Sequence, residues 1–596
     1  MKPCLPHQKN NAFLPTSAKE VAALGWDSID VILFSGDAYV DHPSFGTAMI
    51  SRVLESKGWK VAVVPQPNWR DDLRDFKKLG RPNLFFAVTA GAMDSMVNHY
   101  TAGKRLRSND AYTPEGKAGY RPDRATVVYC NILKQLYPDV PVVIGGIEAS
   151  LRRLTHYDYW DDELKPSILV DSKADYLVYG MAERAMVDLA AAFSQAATPQ
   201  QIRQIPQIAY LTSSLDTAVD IELASHQQCL QSKKCQAANF KLFEEESNRY
   251  ASSLRIGQVV GAQKVIINPP YPLMTTEELD AVYDLPYTRK PHPRYKGKTI
   301  PAYEMIKHSV TMHRGCFGGC AFCTISAHQG KFITSRSQAS ILREIEIISQ
   351  DDTFKGYLSD LGGPSANMYR LAGKDKQLCM QCKRPTCLHP AICKNLDTNH
   401  APLIELYRKV RTLPYIKKAT IGSGIRYDLA TDAYLQEVVA HHVSGRLKVA
   451  PEHTAPEVLY LMRKPSFEHF IDFEKKFRRY NQQAGLKQQL IPYFISSHPG
   501  CTIEHMTSLA IATRRMQFQL EQVQDFTPTP MTLATEMYYT GWNPYTQQKV
   551  TTAKTSEQKT AQRNFFFWYK NEYKAAIIRC LKQIGRIDLL HKIYPR

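Results

Sequence analysis

Short apolar runs alternate with amphipathic stretches from Asp27 to about Ala196. Ile29 to Phe34 has the length and β-branched content of a strand, and Gly46 to Lys57 follows with Met49, Ile50, Val53 and Leu54 on one helical face. Lys60 to Val64 reads as a second strand. Asn83 to Thr89, Pro141 to Gly145 and Asp175 to Gly180 supply three more, each ending near glycine or a polar turn. Strands separated by crossover helices predict a doubly wound α/β domain over residues 1–196, with functional loops at the strand ends. Thr101 to Arg124, rich in Gly, Asn and charge, reads as a long irregular loop.

Beyond this domain the pattern changes. Residues 197–306 are polar, helical in periodicity and then proline-rich, which predicts a connector. From Lys307 six strand-like runs recur at Ser309 to His313, Phe354 to Asp360, Lys417 to Ile421, Leu447 to Ala450, Leu490 to Ile495 and Val523 to Phe526. Amphipathic segments such as Ser337 to Ile348 and Asp432 to His441 lie between them, which predicts a partial (βα)6 barrel of TIM type over residues 307–550. Residues 551–596 read as a helical tail docked by Phe565, Phe566, Phe567, Trp568 and Tyr569.

A chain of 596 residues with 44% hydrophobic and 22% charged residues has enough apolar material for several packed cores. No run reaches the roughly 18 to 20 apolar residues of a spanning helix, and Met1 to Asn10 carries no apolar signal core, so a cytoplasmic location and no membrane partner are expected. The net charge of +18 permits nucleic acid as a partner without requiring it. Thirteen cysteines, an odd number, favour free thiols and metal ligands over a disulfide framework.

Two cysteine groups stand out. Cys316, Cys320 and Cys323 occur as C-x3-C-x2-C just after the first barrel run, among Gly315, Gly318 and Gly319, which argue for a loop that folds back and brings the sulfurs together. Three thiolates leave one position of a four-ligand shell open, and an open position points to catalysis. The alternative is three reduced cysteines filling a turn. The second group, Cys379, Cys382, Cys387 and Cys393, lies in a cysteine-rich insertion at 379–393 and has enough sulfurs for structural zinc or for an auxiliary iron-sulfur cluster.

C-x3-C-x2-C after the first strand of a six-fold βα repeat, with Phe322 before the last cysteine, resembles the radical S-adenosylmethionine superfamily. Ile267 to Pro272, Asp360 to Tyr369, Gly422 to Asp428, Ala450 to Thr454 and His498-Pro499-Gly500 look like the YgiQ-type radical-SAM family. The resemblance implies that Cys316, Cys320 and Cys323 hold a 4Fe-4S cluster whose fourth iron binds S-adenosyl-L-methionine, with Phe322 beside the adenine. It further implies a flavodoxin- or ferredoxin-like electron donor and cleavage to a 5'-deoxyadenosyl radical acting on an unknown substrate.

Topology adds further candidates. Gly362, Gly363 and Pro364 follow the second strand, where the superfamily often has Gly-Gly-Glu; proline removes the carboxylate and leaves backbone contacts to the methionyl amino group. Ser423 and Arg426 end the third strand, suited to ribose and to the methionyl carboxylate. Glu452 and His453 follow the fourth, as candidates to bind the ribose hydroxyls or to act as acid or base on the substrate, the alternative being a structural salt bridge or cap. The first domain is similar to the cobalamin-binding-like domain that precedes some radical-SAM barrels. Asp41 to Gly46 has the residue types of a cobalt-ligating pattern at the wrong spacing, which counts against cobalamin. The alternatives are an RNA-modifying radical-SAM enzyme and a non-catalytic, metal-stabilised binding module.

Overall fold

Val31–Ser35 is buried at every position and pairs in parallel with Val61–Pro65 on one side and Phe85–Thr89 on the other, as suits a strand covered on both faces. In the computed structural model, which describes residues 12–595, Val142–Gly145 and Tyr176–Val178 extend this parallel sheet. The segment Met1 to Asn10 and Cys4 lie outside the described residues. Helices Gly46–Ser56 and Glu183–Ser194 pack on one face, and Ala125–Leu136 on the other.

The connector expected over residues 197–306 is a correction. Ile208–Thr212, Gln263–Ile267, Ile256–Val260 and Ile221–Leu223 continue the same sheet to nine strands, turning antiparallel at Ile208–Thr212. Their apolar alternation is broken by polar residues that are nevertheless buried. Gln258 accepts from the Thr155 amide and donates to the Ala224 carbonyl, and Lys264 donates to the Leu215 and Thr217 carbonyls. Specific hydrogen bonds thus replace the apolar signal that sequence patterning relies on. Helices Lys233–Ser247 and Thr276–Tyr283 are the helical part of the stretch.

The barrel forms in the expected order. Ser309–Thr311 pairs in parallel with Asp360–Gly362, and Tyr357–Leu358 with Lys418–Ala419. Arg446–Glu452 pairs with Gln489–Ser496, which pairs with Gln522–Asp525, and a bridge from Ile425 to Val449 joins the two halves. Val310, Leu358, Leu361, Leu447 and Val449 face a core with Ile341, Ile345, Leu403, Tyr407, Phe470 and Phe473 from the surrounding helices. Phe565 and Phe566 are fully buried and hold helices Ser556–Asn564 and Asn571–Gln583 against the barrel. Among the described residues no helix is long and apolar enough to cross a membrane.

Buried ion pairs tie the two halves together. Arg314, leaving the first barrel strand, meets Glu183 of the first domain at 2.6 Å with both side chains buried. Glu244, on helix Lys233–Ser247, takes both arms of Arg463 at 2.7 and 2.9 Å and the Tyr545 hydroxyl at 2.6 Å. Removing one partner leaves the other charge desolvated, a loss of about 3–5 kcal/mol, whereas replacing both with apolar groups avoids that cost. Glu244→Ala is therefore expected to lower the thermal midpoint of the protein, and Glu244→Ala with Arg463→Met to recover most of the loss; calorimetry checks both.

Candidate functional site

His313–Arg314 pairs antiparallel with Thr334–Ser335, which closes the intervening residues into a loop at the carboxyl end of the first barrel strand. This loop carries Cys316, Cys320 and Cys323. Its backbone is held from several sides: the Ala321 amide donates to the Met462 carbonyl at 3.0 Å, and the Ala321 carbonyl accepts from Ala534 at 2.8 Å. A Cβ added at Gly318 would lie 3.3 Å from Cys316 Sγ, 3.9 Å from Cys320 Sγ and 3.0 Å from Arg426 Nη1, so both sulfurs and the guanidinium meet on one face of the loop.

The three cysteines are half-buried and sense one another. Burial, then the neighbouring Cys320, pushes Cys316 up to about 11. Burial first, then Cys320 and Cys316, raises Cys323 further. Three thiolates this close are unstable without a cation, and an iron-sulfur core with a ferric and ferrous framework supplies one; the donor set fits such a cluster. Among the described residues no three His, Cys, Asp or Glu side chains converge as ligands of a single ion. A cubane cluster makes no such demand, because each thiolate binds a different iron.

Arg426 sits beside the thiols, but its two-armed face is taken by Asp428, at 2.8 and 2.7 Å. The expected fork toward a methionyl carboxylate is thus occupied, and the remaining Nη1 reaches Cys320 Sγ at 3.6 Å. Ser423 donates its hydroxyl to Asp360, whose carboxylate also accepts from the Gly422 amide at 2.8 Å and is raised by burial. Glu452 ends a strand whose register slips between Val449 and Glu452, and its φ of 66° is unusual for a residue with a side chain. That bend places its buried carboxylate 3.8 Å from Lys464 Nζ and within electrostatic reach of Cys323; burial raises it.

His453 takes another course. Its Nδ1 accepts from the Ala455 amide at 3.0 Å and its Nε2 lies 3.5 Å from Cys501 Sγ, with no exposed surface. It is built into the core with Nδ1 taken by the Ala455 amide, so of the two candidates only Glu452 lies within electrostatic reach of the cysteine loop. Phe322 packs edge-on to His498 at 6.1 Å, and His498 in turn meets Phe526 at 5.3 Å.

Gly362, Gly363, Pro364 and Ser423 line a cavity of about 500 Å³ between the barrel mouth and the strand ends of the first domain, where Thr89, Gly145 and Gly180 form the opposite wall. His313 also lines it. Its ring is fully buried without a well-formed hydrogen bond at either nitrogen, and burial lowers it to about 3. A Cβ at Gly363 would fall 2.4 Å from that ring, so only glycine permits the strand to pass it.

The second cysteine group lies against the first loop. The Cys387 amide donates to the Phe317 carbonyl at 3.0 Å, and the Thr386 hydroxyl to the Gly318 carbonyl at 2.7 Å. Burial first, then the charges of nearby groups including Cys393, Cys382 and Cys379, leaves Cys387 at about 11, so these thiols share one neighbourhood without a preformed tetrahedral shell. Asp41 and His42 are engaged elsewhere: Asp41 holds Arg52 at 3.1 Å through Oδ1, and His42 Nε2 meets Arg289 at 2.8 Å. His313, Asp360, Asp428 and Lys464 were not singled out from the sequence. Asp360 and Asp428 lie in the stretches that resemble the YgiQ-type family, and Asp428 also has an Arg-x-Asp spacing to Arg426, whereas Lys464 carried no such signal.

A doubly wound domain whose strand ends face a parallel barrel with C-x3-C-x2-C after its first strand defines a radical-SAM-type protein. The family model described as Radical SAM N-terminal matches residues 13–309, and a domain of unknown function, DUF3362, matches 521–592. The chain belongs to the UPF0313 family: it is 59% identical to UPF0313 proteins of Bacteroides thetaiotaomicron, over 98% of each chain, and of Porphyromonas gingivalis, over 99% of this chain and 95% of that one. Its fold is similar to the radical S-adenosylmethionine methyltransferase TsrM from Kitasatospora setae, solved with cobalamin and a 4Fe-4S cluster, at TM-score 0.50 and 15% identity, covering 86% of this chain and 77% of that one.

Two outcomes follow from this geometry. Gly363→Ala is expected to lower the thermal midpoint by an amount worth about 1–3 kcal/mol, and adding His313→Ala to restore it, as scanning calorimetry reads. The second concerns Glu536, on helix Leu533–Thr540, whose Ala534 ties down the cysteine loop. Burial pushes its carboxyl up to about 8, against an ordinary 4.5 in the unfolded chain. The folded state therefore keeps a proton the unfolded chain has lost, and this contribution, intact below about 4.5, is lost as pH rises toward about 8. The midpoint of Glu536→Gln relative to the parent protein should climb across that window and level off above it.

Proposed function

We propose that the protein is a radical S-adenosyl-L-methionine enzyme in which Cys316, Cys320 and Cys323 hold a 4Fe-4S cluster. The observation that carries this reading is the meeting of half-buried cysteines, close enough to raise one another's thiols, on a loop tied to the barrel beside a large two-domain cavity. When bound, the cluster and S-adenosyl-L-methionine supply reductive cleavage to a 5'-deoxyadenosyl radical for hydrogen abstraction.

The chain's own residues then have separate tasks. Backbone carbonyls at Gly362 and Gly363 accept from the methionyl ammonium, with Pro364 ending the turn, and Ser423, oriented by Asp360, accepts from a ribose hydroxyl. Arg426, fixed by Asp428, lends positive charge to the Cys320 sulfur. Glu452 with Lys464 holds a proton position at the edge of the cluster pocket, and Phe322 with His498 forms an apolar wall for the adenine. The substrate occupies the cavity of about 500 Å³. Cys379, Cys382, Cys387 and Cys393 take a second metal group. Cobalamin is not included, because Asp41 and His42 are committed to Arg52 and Arg289. Twelve free cysteines among the described residues suit a reducing cytoplasm and a flavodoxin- or ferredoxin-like donor.

Anaerobic reconstitution followed by reduction tests this. The iron-loaded protein is expected to release 5'-deoxyadenosine and methionine, and Cys320→Ala to reduce that release to background while the fold, read by circular dichroism, is kept. Iron-loaded parent protein that makes no 5'-deoxyadenosine would overturn the reading.

A further inference from the structure

Eight arginines are buried in the described residues, and the pairing of their charges is uneven. Arg52, Arg121, Arg152, Arg314, Arg336, Arg426 and Arg463 each face an aspartate or glutamate. Arg153 faces none among the described residues. Only 2% exposed, it donates through Nη1 to the Ser150 carbonyl, and its buried Nε has no acceptor. The rings of Tyr179 and Phe243 each lie 4.6 Å from the guanidinium carbon, so two aromatic faces hold the cation. Burial pulls the guanidinium down to about 10, which leaves it charged at neutral pH.

A buried charge without a counter-ion costs several kcal/mol, and cation–π contacts of about 2 kcal/mol do not offset it. Arg153 nevertheless lines a cavity of about 180 Å³, together with Tyr179, Phe243, His328, Tyr250 and Pro270. His328 is a second unsatisfied donor or acceptor there, since its buried Nδ1 has no partner. The one acid on the wall, Glu246, is taken by Arg249 at 2.8 Å and by the Ser252 hydroxyl at 2.5 Å. Gly180, Met181, Arg314, His328 and Gln329 border both this cavity and the larger central one, so the two adjoin. Part of the wall comes from Asn268 to Pro272, a stretch that the cluster chemistry does not use.

We propose that this cavity is a binding site for an organic monocarboxylate, whose carboxylate pairs with Arg153 and whose apolar body lies among Tyr179, Phe243, Tyr250 and Pro270. A guanidinium between aromatic faces and without a carboxylate partner matches a planar monoanion, while Lys331, the other cation on this wall that meets no acid among the described residues, gives its ammonium to the Arg384 carbonyl at 2.6 Å. The site does not depend on the cluster reading, and its test reads binding without turnover.

The experiment titrates the full-length protein with benzoate, indole-3-acetate and hexanoate, each beside its uncharged alcohol or amide, following thermal midpoint and calorimetric heat. At least one carboxylate is expected to bind saturably below about 10 mM, and its uncharged counterpart at least tenfold more weakly. Arg153→Met is expected to raise the ligand-free midpoint, because it removes an unpaired charge, and to weaken that carboxylate at least tenfold. Arg153→Lys, which keeps the charge without the planar fork, should fall between. Equal binding by parent and Arg153→Met, or no saturable binding by any of the three carboxylates, would overturn the proposal.

Discussion

Three cysteine side chains gathered on one half-buried loop would repel one another once ionised, and the chain must supply the restraint that keeps them together. It does so through the backbone of the cysteine loop. Ala321 is tied to Met462 and Ala534, Cys316 to Gly330, and Phe317 to Cys387, so the end of helix Pro456–Leu461, helix Leu533–Thr540 and the cysteine-rich insertion all converge on one short segment. Each bond joins the loop to a part of the chain distant in sequence or across a turn. The arrangement can therefore exist only in the folded state, where the cost of ordering the loop is met by folding.

The same logic explains the charged residues around the loop. Arg426 is anchored by Asp428 and so offers one arm to a sulfur without being free to swing away. Glu452 is delivered by a slipped strand register and balanced by Lys464. Arg314 and Glu183 join the barrel to the first domain at the rim of the central cavity. These buried ions are costly individually, and they persist because each has a partner in place. Against that pattern an unpaired Arg153 is an exception with a physical meaning.

The nine-stranded sheet gives the site its second wall. Strand ends at Thr89, Gly145 and Gly180 face the barrel mouth, which is where loops of open parallel sheets and of βα barrels both collect ligands. The strands from residues 208–267 widen this sheet and bring Gln207, Asn268 and the prolines after it to the smaller cavity, so the stretch first taken for a connector helps to shape the binding surface.

Much of this was legible in the linear chain, because strand and helix periodicities are local: the parallel strands to Tyr176–Val178, the six barrel strands and the C-x3-C-x2-C loop follow from spacing alone. Strands with buried Gln258 and Lys264 were not legible, since their burial depends on acceptors supplied by Ala224, Leu215 and Thr217. Nor were the separate surroundings of Glu452 and His453, which are decided by a register slip and by Cys501, 48 residues further along the chain. Residue types and their spacing determined which chemistry the protein carries. Only the tertiary structure decided which charges are partnered, because a counter-charge is defined by distance in space and by the exclusion of water, and neither is written in neighbouring positions along the chain.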